Sequence, residues 1–362
     1  MGLRRSMLEV LVCAMRRAWR FRAPQGPRSI FVLRNNDLGD VAAITPLFEA
    51  LRRSYPEARI VAGVLSGSEA ILEGNPYLSA VVACNAPWHN HKVSKKNLRA
   101  VLRYIFFSAE AARLTAERFD VGIDVTGSAF GSMLLMRMGI PVRLGRKGYA
   151  GGHTGATAYL EDISATSVAK NAIEFVRLLQ DDADLDIAPE PQLFLREAEL
   201  AEARKVWTET EESRAGKVPR IIFAPGAGLP QKQWPAESFV ALARRFAGRV
   251  SVRILGSAAD APLGEAITSG QPQVRNLCGQ TSIRQSMALI ATADLVVCHG
   301  SFVMHVAAAF HTPAVVILTR LFDPKLHAVL WEVEGLHHQM FPQGDEAQVS
   351  VDAVEEKIRE LL

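Results

Sequence analysis

The chain has few of the features that would set it apart from ordinary globular proteins. It carries 4 cysteines in 362 residues (Cys13, Cys84, Cys278 and Cys298), and no two form a C-x-x-C pair. That argues against a disulfide framework or a zinc site and fits a reducing compartment. No apolar run approaches the ~20 residues of a membrane span. The net charge of +3 is too small to argue for nucleic acid as a partner. Walker, G-x-S-x-G and H-E-x-x-H motifs are absent, as are short-period repeats and extended low-complexity tracts. What is present is a composition of 49% hydrophobic and 22% charged residues, normal for a soluble globular protein. The length suffices for two domains with full cores.

The most unusual composition is at the N-terminus. Residues 1–23 hold Arg4, Arg5, Arg16, Arg17, Arg20 and Arg22 against one acid, Glu9. Drawn as a helix, Leu3, Met7, Leu11, Met15 and Trp19 form one stripe, with Arg5, Arg16 and Arg20 on the opposite side. Such a helix can lie on an anionic membrane surface; the alternative is a helix docked on the protein, or a poorly ordered lead-in. It is not a clean signal peptide, because arginines follow the apolar run and no small-residue cleavage site is evident.

After Pro24–Pro27 the pattern alternates between strand and helix, which predicts parallel sheets. Strands are expected at 29–33, 59–64, 81–84, 121–125 and 142–144. Helices are expected at 41–54, within 92–118, and at 132–138 and 169–179. Acids and prolines then gather between Asp181 and Pro191, followed by a charged helix at 196–208. A second alternation has strands at 220–224, 250–255, 274–277, 294–298 and 314–318. Its helices are expected at 236–247, 262–268, 282–292 and 303–310, and a last one at 351–362. The organisation read from this is a basic segment 1–27, a Rossmann-like domain 28–180, a linker with connecting helix 181–216, a second Rossmann-like domain 217–345 and a terminal helix 346–362. Two doubly wound domains facing a central cleft would suit an enzyme that joins a donor to an acceptor.

Chemistry-bearing residues sit where strands give way to helices, the ligand-binding end of open α/β sheets. Gly39-Asp40 follows the first strand. Asp40 can accept a proton from an attacking hydroxyl or simply cap the helix starting at Val41; Asp37 reads as a turn residue. In the second half, Gly226, Ala227 and Gly228 allow backbone amides close to an anion, and Lys232 can neutralise a phosphate. Trp234-Pro235 is expected to pack on the domain and start the next helix. Strand 294–298 runs into Gly300, Ser301, Phe302 and Val303, a helix N-terminus suited to pyrophosphate. His305 either faces the ligand there or is a core histidine, while Met304, Val306 and Phe310 read as core. Asp260 holds ribose hydroxyls or caps a helix. The glycine-rich stretch 145–155, with Arg146 and Lys147 in it and Arg143 just before, either holds an anionic acceptor or is a solvated loop. His89-Asn90-His91 lacks partner acids, and Asp182-Ala183-Asp184 sits in the linker, so neither is read as a metal site.

Taken together, R-N-N-D-L-G-D-V-A-A-I-T-P, F-D-V-G-I-D-V-T-G, F-A-P-G-A-G-L-P-Q-K-Q-W-P, L-C-G-Q-T-S-I-R-Q and M-H-V-A-A-A-F-H-T-P resemble, in order and spacing from about Ser29 to Thr319, the ADP-heptose:lipopolysaccharide heptosyltransferase family. The resemblance implies a GT-B fold and an inverting sugar transfer that needs no metal or other cofactor. It implies Asp40 as catalytic base, Lys232 and His305 as donor-site residues, and Arg34 and Gly39 on the acceptor side. The implied partners are a nucleotide-diphosphate sugar, ADP-heptose or a related donor, and a glycolipid or polysaccharide acceptor, with no nucleic acid. One departure stands out. Where the family has Asn-Asp-Ser-Gly-Pro before Met-His, this chain has His299-Gly300-Ser301-Phe302-Val303. The lost acid lies near the family's donor site, which puts heptose specificity in doubt and leads us to expect a different nucleotide sugar. Two other readings compete: a catalytically silent nucleotide-sugar-binding or scaffold protein, and a GT-B-like sugar-nucleotide epimerase or hydrolase. The expected location is the cytoplasm, with residues 1–23 on the inner face of the membrane if they bind it.

Overall fold

The computed structural model describes Val10, Val12, Ala14 and residues 26–89, 97–148, 150–161, 166–181, 183, 185–208 and 218–362. The chain divides into two compact units, Met1–Pro189 and Glu190–Leu362.

In the first unit the strands are β1 (Ser29–Arg34), β2 (Arg59–Val64), β3 (Ala80–Ala83), β4 (Val121–Asp124), β5 (Val142–Arg146) and β6 (Ala158–Leu160). They form one sheet of order β3-β2-β1-β4-β5-β6, every pair parallel. The second unit has β7 (Arg220–Ala224), β8 (Ser251–Ile254), β9 (Val274–Asn276), β10 (Leu295–His299), β11 (Ala314–Ile317) and β12 (His337–Met340). These run parallel in the order β12-β11-β10-β7-β8-β9. Counted from each unit's own first strand, both sheets have the doubly wound order, and the winding reverses between β1 and β4 and between β7 and β10. The central strands are continuous apolar runs such as Ile30-Phe31-Val32-Leu33 and Ile221-Ile222-Phe223, fully buried because helices cover both faces.

Several elements differ from the sequence expectation. The helix expected over 41–54 is two, Leu38–Ala43 and Pro46–Ser54. Pro46 has no N–H to continue the first and starts the second, where that loss is harmless. Ser108 ends helix Leu98–Phe107 and its side chain caps Ala109–Ala116, dividing the expected long helical region. The helices Glu69–Leu72 and Pro324–Trp331 and the strands β6 and β12 were not foreseen. Phe310, expected in the core, is only half-buried.

The helix Glu197–Thr208 belongs to the second unit. Arg284 Nε lies 2.6 Å from Glu199 Oε1, and the buried Trp207 donates from Nε1 to Thr292 Oγ1 at 3.0 Å. The last helix, Val351–Leu361, also joins this unit, with Val354 and Ile358 in its core and Glu355 2.7 Å from Arg245. Trp234 is buried as expected, its indole N–H donating to Val349 O at 2.8 Å.

Val10, Val12 and Ala14 are helical, and Val12 is fully buried in the first unit's core. The amphipathic stripe Leu3, Met7, Leu11, Met15 and Trp19 lies outside the described residues, as do Asn90, His91, Asp182 and Asp184. Among the described residues no helix is long and apolar enough to cross a membrane, and no group of three or more acids, histidines and cysteines could hold a metal.

Candidate active site

In the first unit the candidate groups gather at the switch point, where the segments leaving β1 and β4 diverge. Arg34, the last residue of β1, is 6% exposed. Its Nη2 lies 2.9 Å from Asp40 Oδ1, its Nε donates to Asp40 O at 3.2 Å, and its Nη1 donates to Thr126 Oγ1 at 3.0 Å. Thr126 donates in turn to Asn36 Oδ1 at 2.6 Å. One guanidinium thus ties the turn after β1 to the turn after β4. Three of the donors of Arg34 are spent on Asp40 and Thr126, so its observed role is to orient Asp40. Gly39 and Asp40 lie in the first turn of helix Leu38–Ala43, so Asp40 is not the residue that opens the helix, and the capping alternative fails. Its Oδ2 has no hydrogen-bond partner among the described residues, and the side chain is 28% exposed. The result is an oriented carboxylate with one oxygen available.

Asp124, at the end of β4, was not singled out from the sequence. It is buried, and accepts from Gly127 N at 3.1 Å and Ser128 N at 2.7 Å. Burial pushes its carboxyl up to about 6, against the pull of those amides and of Arg34. It fixes the turn that carries Thr126. An acid ending a strand just before Thr-Gly was the available signal.

The expected basic acceptor surface is taken apart. Arg143 is 2% exposed. It donates from Nε to Gly155 O at 2.9 Å and from Nη1 to Ile140 O at 2.6 Å and Pro141 O at 3.2 Å. It is a structural tether, because a buried guanidinium must satisfy its donors internally. The glycine-rich stretch is packed rather than solvated: Gly152 N donates to Gly127 O at 2.9 Å, and Ser132 Oγ to Gly152 O at 2.7 Å. Lys147 is exposed and pairs with Glu161 at 2.9 Å, while Arg146 is half-buried at the end of β5.

In the second unit the corresponding switch point brings together the turns after β7 and β10. Gly226 lies against Asp260, and a Cβ there would fall 2.6 Å from the carboxylate, so this approach requires glycine. Ala227 is half-exposed and Gly228 exposed. Asp260 Oδ2 accepts from Ser257 N at 2.8 Å and Ser257 Oγ at 2.7 Å. Asp260 stands at the N-cap position of helix Ala261–Thr268 but makes no side-chain bond to it, its Oδ2 being turned back to Ser257 instead, and Oδ1 has no partner among the described residues. Lys232 Nζ sits 5.1 Å from the centre of the Phe322 ring, with no carboxylate paired to it among the described residues. A cation over an aromatic face keeps its charge available for an anion.

His299, read from the sequence only as part of a motif, is the junction of this site. It is fully buried. Trp234 N–H donates to its Nε2 at 2.8 Å, and Nδ1 lies 3.5 Å from Gly226 O. Since Nε2 accepts, the ring proton is on Nδ1 and the imidazole is neutral; burial draws its pKa down to about 4. The ring thereby fixes the glycine turn and the segment after Lys232 to the end of β10. Ser301 occupies the N-cap position of helix Phe302–Ala309 without a side-chain capping bond. The first amides of that helix, at Phe302 and Val303, have no intrahelical acceptor and suit an anion. His305 is buried edge-on to Trp331, 5.4 Å between ring centres, and burial pushes it down to about 3. Its observed contacts are those of a core histidine. His337 accepts from Val333 N at Nδ1 (3.1 Å) and donates from Nε2 to Met304 O at 3.0 Å, pinning the helix to β12.

Two doubly wound units, one presenting an oriented carboxylate and the other an ammonium with no carboxylate partner among the described residues, have the architecture of a glycosyltransferase of GT-B fold. The family model for Glycosyltransferase family 9 (heptosyltransferase) matches residues 109–322, and the chain belongs to that family. Over 298 residues it is 26% identical to lipopolysaccharide heptosyltransferase 2 of Escherichia coli K12, covering 80% of this chain and 82% of that one. A glycosyl transferase family 9 structure from Veillonella parvula superposes with TM-score 0.76 at 18% identity, covering 92% and 97% of the two chains. The E. coli ADP-heptose lps heptosyltransferase II does so with TM-score 0.70 at 22% identity, covering 92% and 98%.

Proposed function

We propose that the protein transfers a heptose or closely related sugar, with inversion, from a nucleoside diphosphate to a lipopolysaccharide or other envelope glycan. Asp40 Oδ2 takes the proton of the acceptor hydroxyl as its oxygen bonds to the anomeric carbon. The bond from that carbon to the diphosphate breaks on the opposite face, and the diphosphate leaves with the electron pair. Lys232 and the amides of Phe302 and Val303 stabilise the charge that develops on it, so the reaction needs no metal in this reading. Asp260 Oδ1 is assigned to the nucleoside ribose. ADP-heptose is the first donor to test, because the E. coli relative bears a heptosyltransferase name and its structure is named for ADP-heptose. Gly300 in place of the family's acid keeps other nucleotide sugars in contention. Residues 1–23 are assigned to the inner membrane face on their arginine content, with Val12 itself packed in the first unit's core.

The observation that carries the reading is Asp40, held by Arg34 with one oxygen open. The test is turnover of ADP-heptose beside ADP-, UDP- and GDP-hexoses on truncated lipopolysaccharide, with wild type and Asp40→Asn. The variant should lose about 10²- to 10⁴-fold in kcat while binding ADP as wild type does. Sugar release without acceptor would point instead to a hydrolase, and full activity in the variant would remove Asp40 as base.

A further inference from the structure

The turn Gly300–Ser301 has a neighbour that the proposed chemistry does not use. His327 stands on helix Pro324–Trp331, whose start is capped by Asp323 accepting from Leu326 N at 2.8 Å. It is 5% exposed. Its ring lies edge-on to Phe322, 4.8 Å between centres, and Nδ1 is 3.0 Å from Gln339 Oε1. The Phe322 ring is the one beneath Lys232 Nζ. On the other side, a Cβ on residue 300 would fall 3.0 Å from His327 Nε2 and 3.0 Å from Leu318 Cδ2. The imidazole therefore occupies the room that a side chain at position 300 would need. Its Nε2 makes no hydrogen bond among the described residues. On a residue this buried, a ring nitrogen that makes no hydrogen bond and lies against the backbone opening a helix is placed to bond a ligand there.

We propose that His327 is a specificity-determining residue whose Nε2 accepts a hydrogen bond from a hydroxyl of the donor sugar, and that Gly300 is bare to admit it. The proposal rests on the reading of this turn as part of the donor site. The chemistry follows from the tautomer. With Gln339 Oε1 turned toward it, Nδ1 carries the proton and Nε2 offers a lone pair. Phosphate oxygens are acceptors too and gain nothing from such an atom, whereas a sugar hydroxyl donates to it. Burial and the nearby Lys232 charge keep the ring neutral, which preserves that role. The diphosphate is left to Lys232 and the helix amides, and His327 reads the group being transferred.

The test separates sugar from diphosphate. kcat/KM for ADP-heptose and the inhibition constant of ADP are measured on the full chain for wild type, His327→Ala, His327→Gln and Gly300→Ala. If a UDP- or GDP-sugar is the better donor, that sugar and its diphosphate replace them. The expected result is a loss of about tenfold or more in kcat/KM for His327→Ala, with diphosphate inhibition unchanged. His327→Gln, which keeps an acceptor, should recover part of the loss. Gly300→Ala should reproduce the loss, and adding it to His327→Ala should cost little more, because both act on one contact. Equal losses for sugar and diphosphate, or no loss in an active enzyme, would overturn the proposal alone. A wild type that turns over no nucleotide sugar would overturn the donor-site reading together with it.

Discussion

His299 makes the second unit acid-sensitive in a calculable way. In the folded protein burial draws its pKa from 6.5 to about 4. A histidine with a depressed folded pKa contributes stability that is fully present above the unfolded value and lost as pH falls toward the folded one. From about pH 7.5 to about pH 5, this one group should destabilise the unit by about 2 kcal/mol. Protonation also removes the lone pair that Trp234 N–H requires. His305, His327 and His337 are shifted in the same direction, chiefly by burial, and add to the slope. They are present in both wild type and His299→Gln, so they cancel when the two are compared. The glutamine can accept from the Trp234 amide but cannot titrate. The stability gap between the two proteins should therefore narrow by about 2 kcal/mol between those pH values. Urea unfolding read by hydrogen exchange on β7 and β10 peptides isolates this unit, since a two-unit chain need not unfold in one step. The first unit is an internal control of opposite sign. Asp124 is raised from 3.8 to about 6, so its contribution is fully present below the unfolded pKa and is lost as pH rises through the folded one. Peptides of β1 and β4 should gain about 1 kcal/mol over the same acid step. Parallel slopes for wild type and His299→Gln, or a His299 resonance titrating near the ordinary value, would refute the reasoning.

Lys232→Ala should weaken ADP binding about 10- to 100-fold, the worth of a hydrogen bond to a charged group, and flatten its salt dependence; calorimetry at two ionic strengths measures both. Arg143→Met strands three carbonyl contacts. It should cost about 3 kcal/mol or more and lower the melting temperature of the first unit by roughly 6–12 °C, with the ADP constant unchanged. A normal melting curve with a raised acceptor KM would instead restore Arg143 to the acceptor surface.

The two alternations of strand and helix were legible because each central strand is a long apolar run bounded by Gly, Pro or Asp. The ordered motifs were enough to suggest a family that the comparison then showed. Elements went unseen where the local pattern is silent. His337-His338-Gln339-Met340 has one apolar residue, and it is a strand because β11 pairs with it and His337 finds partners in Met304 and Val333. Arg143 looked like a surface cation because a guanidinium is ordinarily solvated, and only the carbonyls of residues 140, 141 and 155 around it make it a tether.

The sequence by itself determined the two doubly wound sheets and the candidacy of Asp40 and Lys232 at the turns that follow their strands, since periodicity and turn chemistry are local properties. Tertiary structure alone decided how those groups are held. Arg34 reaches Asp40 within one turn but needs Thr126, 92 residues away, to fix it. His299 acquires its tautomer from an amide 65 residues earlier. Gly300 and His327 become one feature only because parallel strands bring the ends of distant segments side by side. Pairing across a sheet is set by burial and register over the whole unit, and no local window contains it.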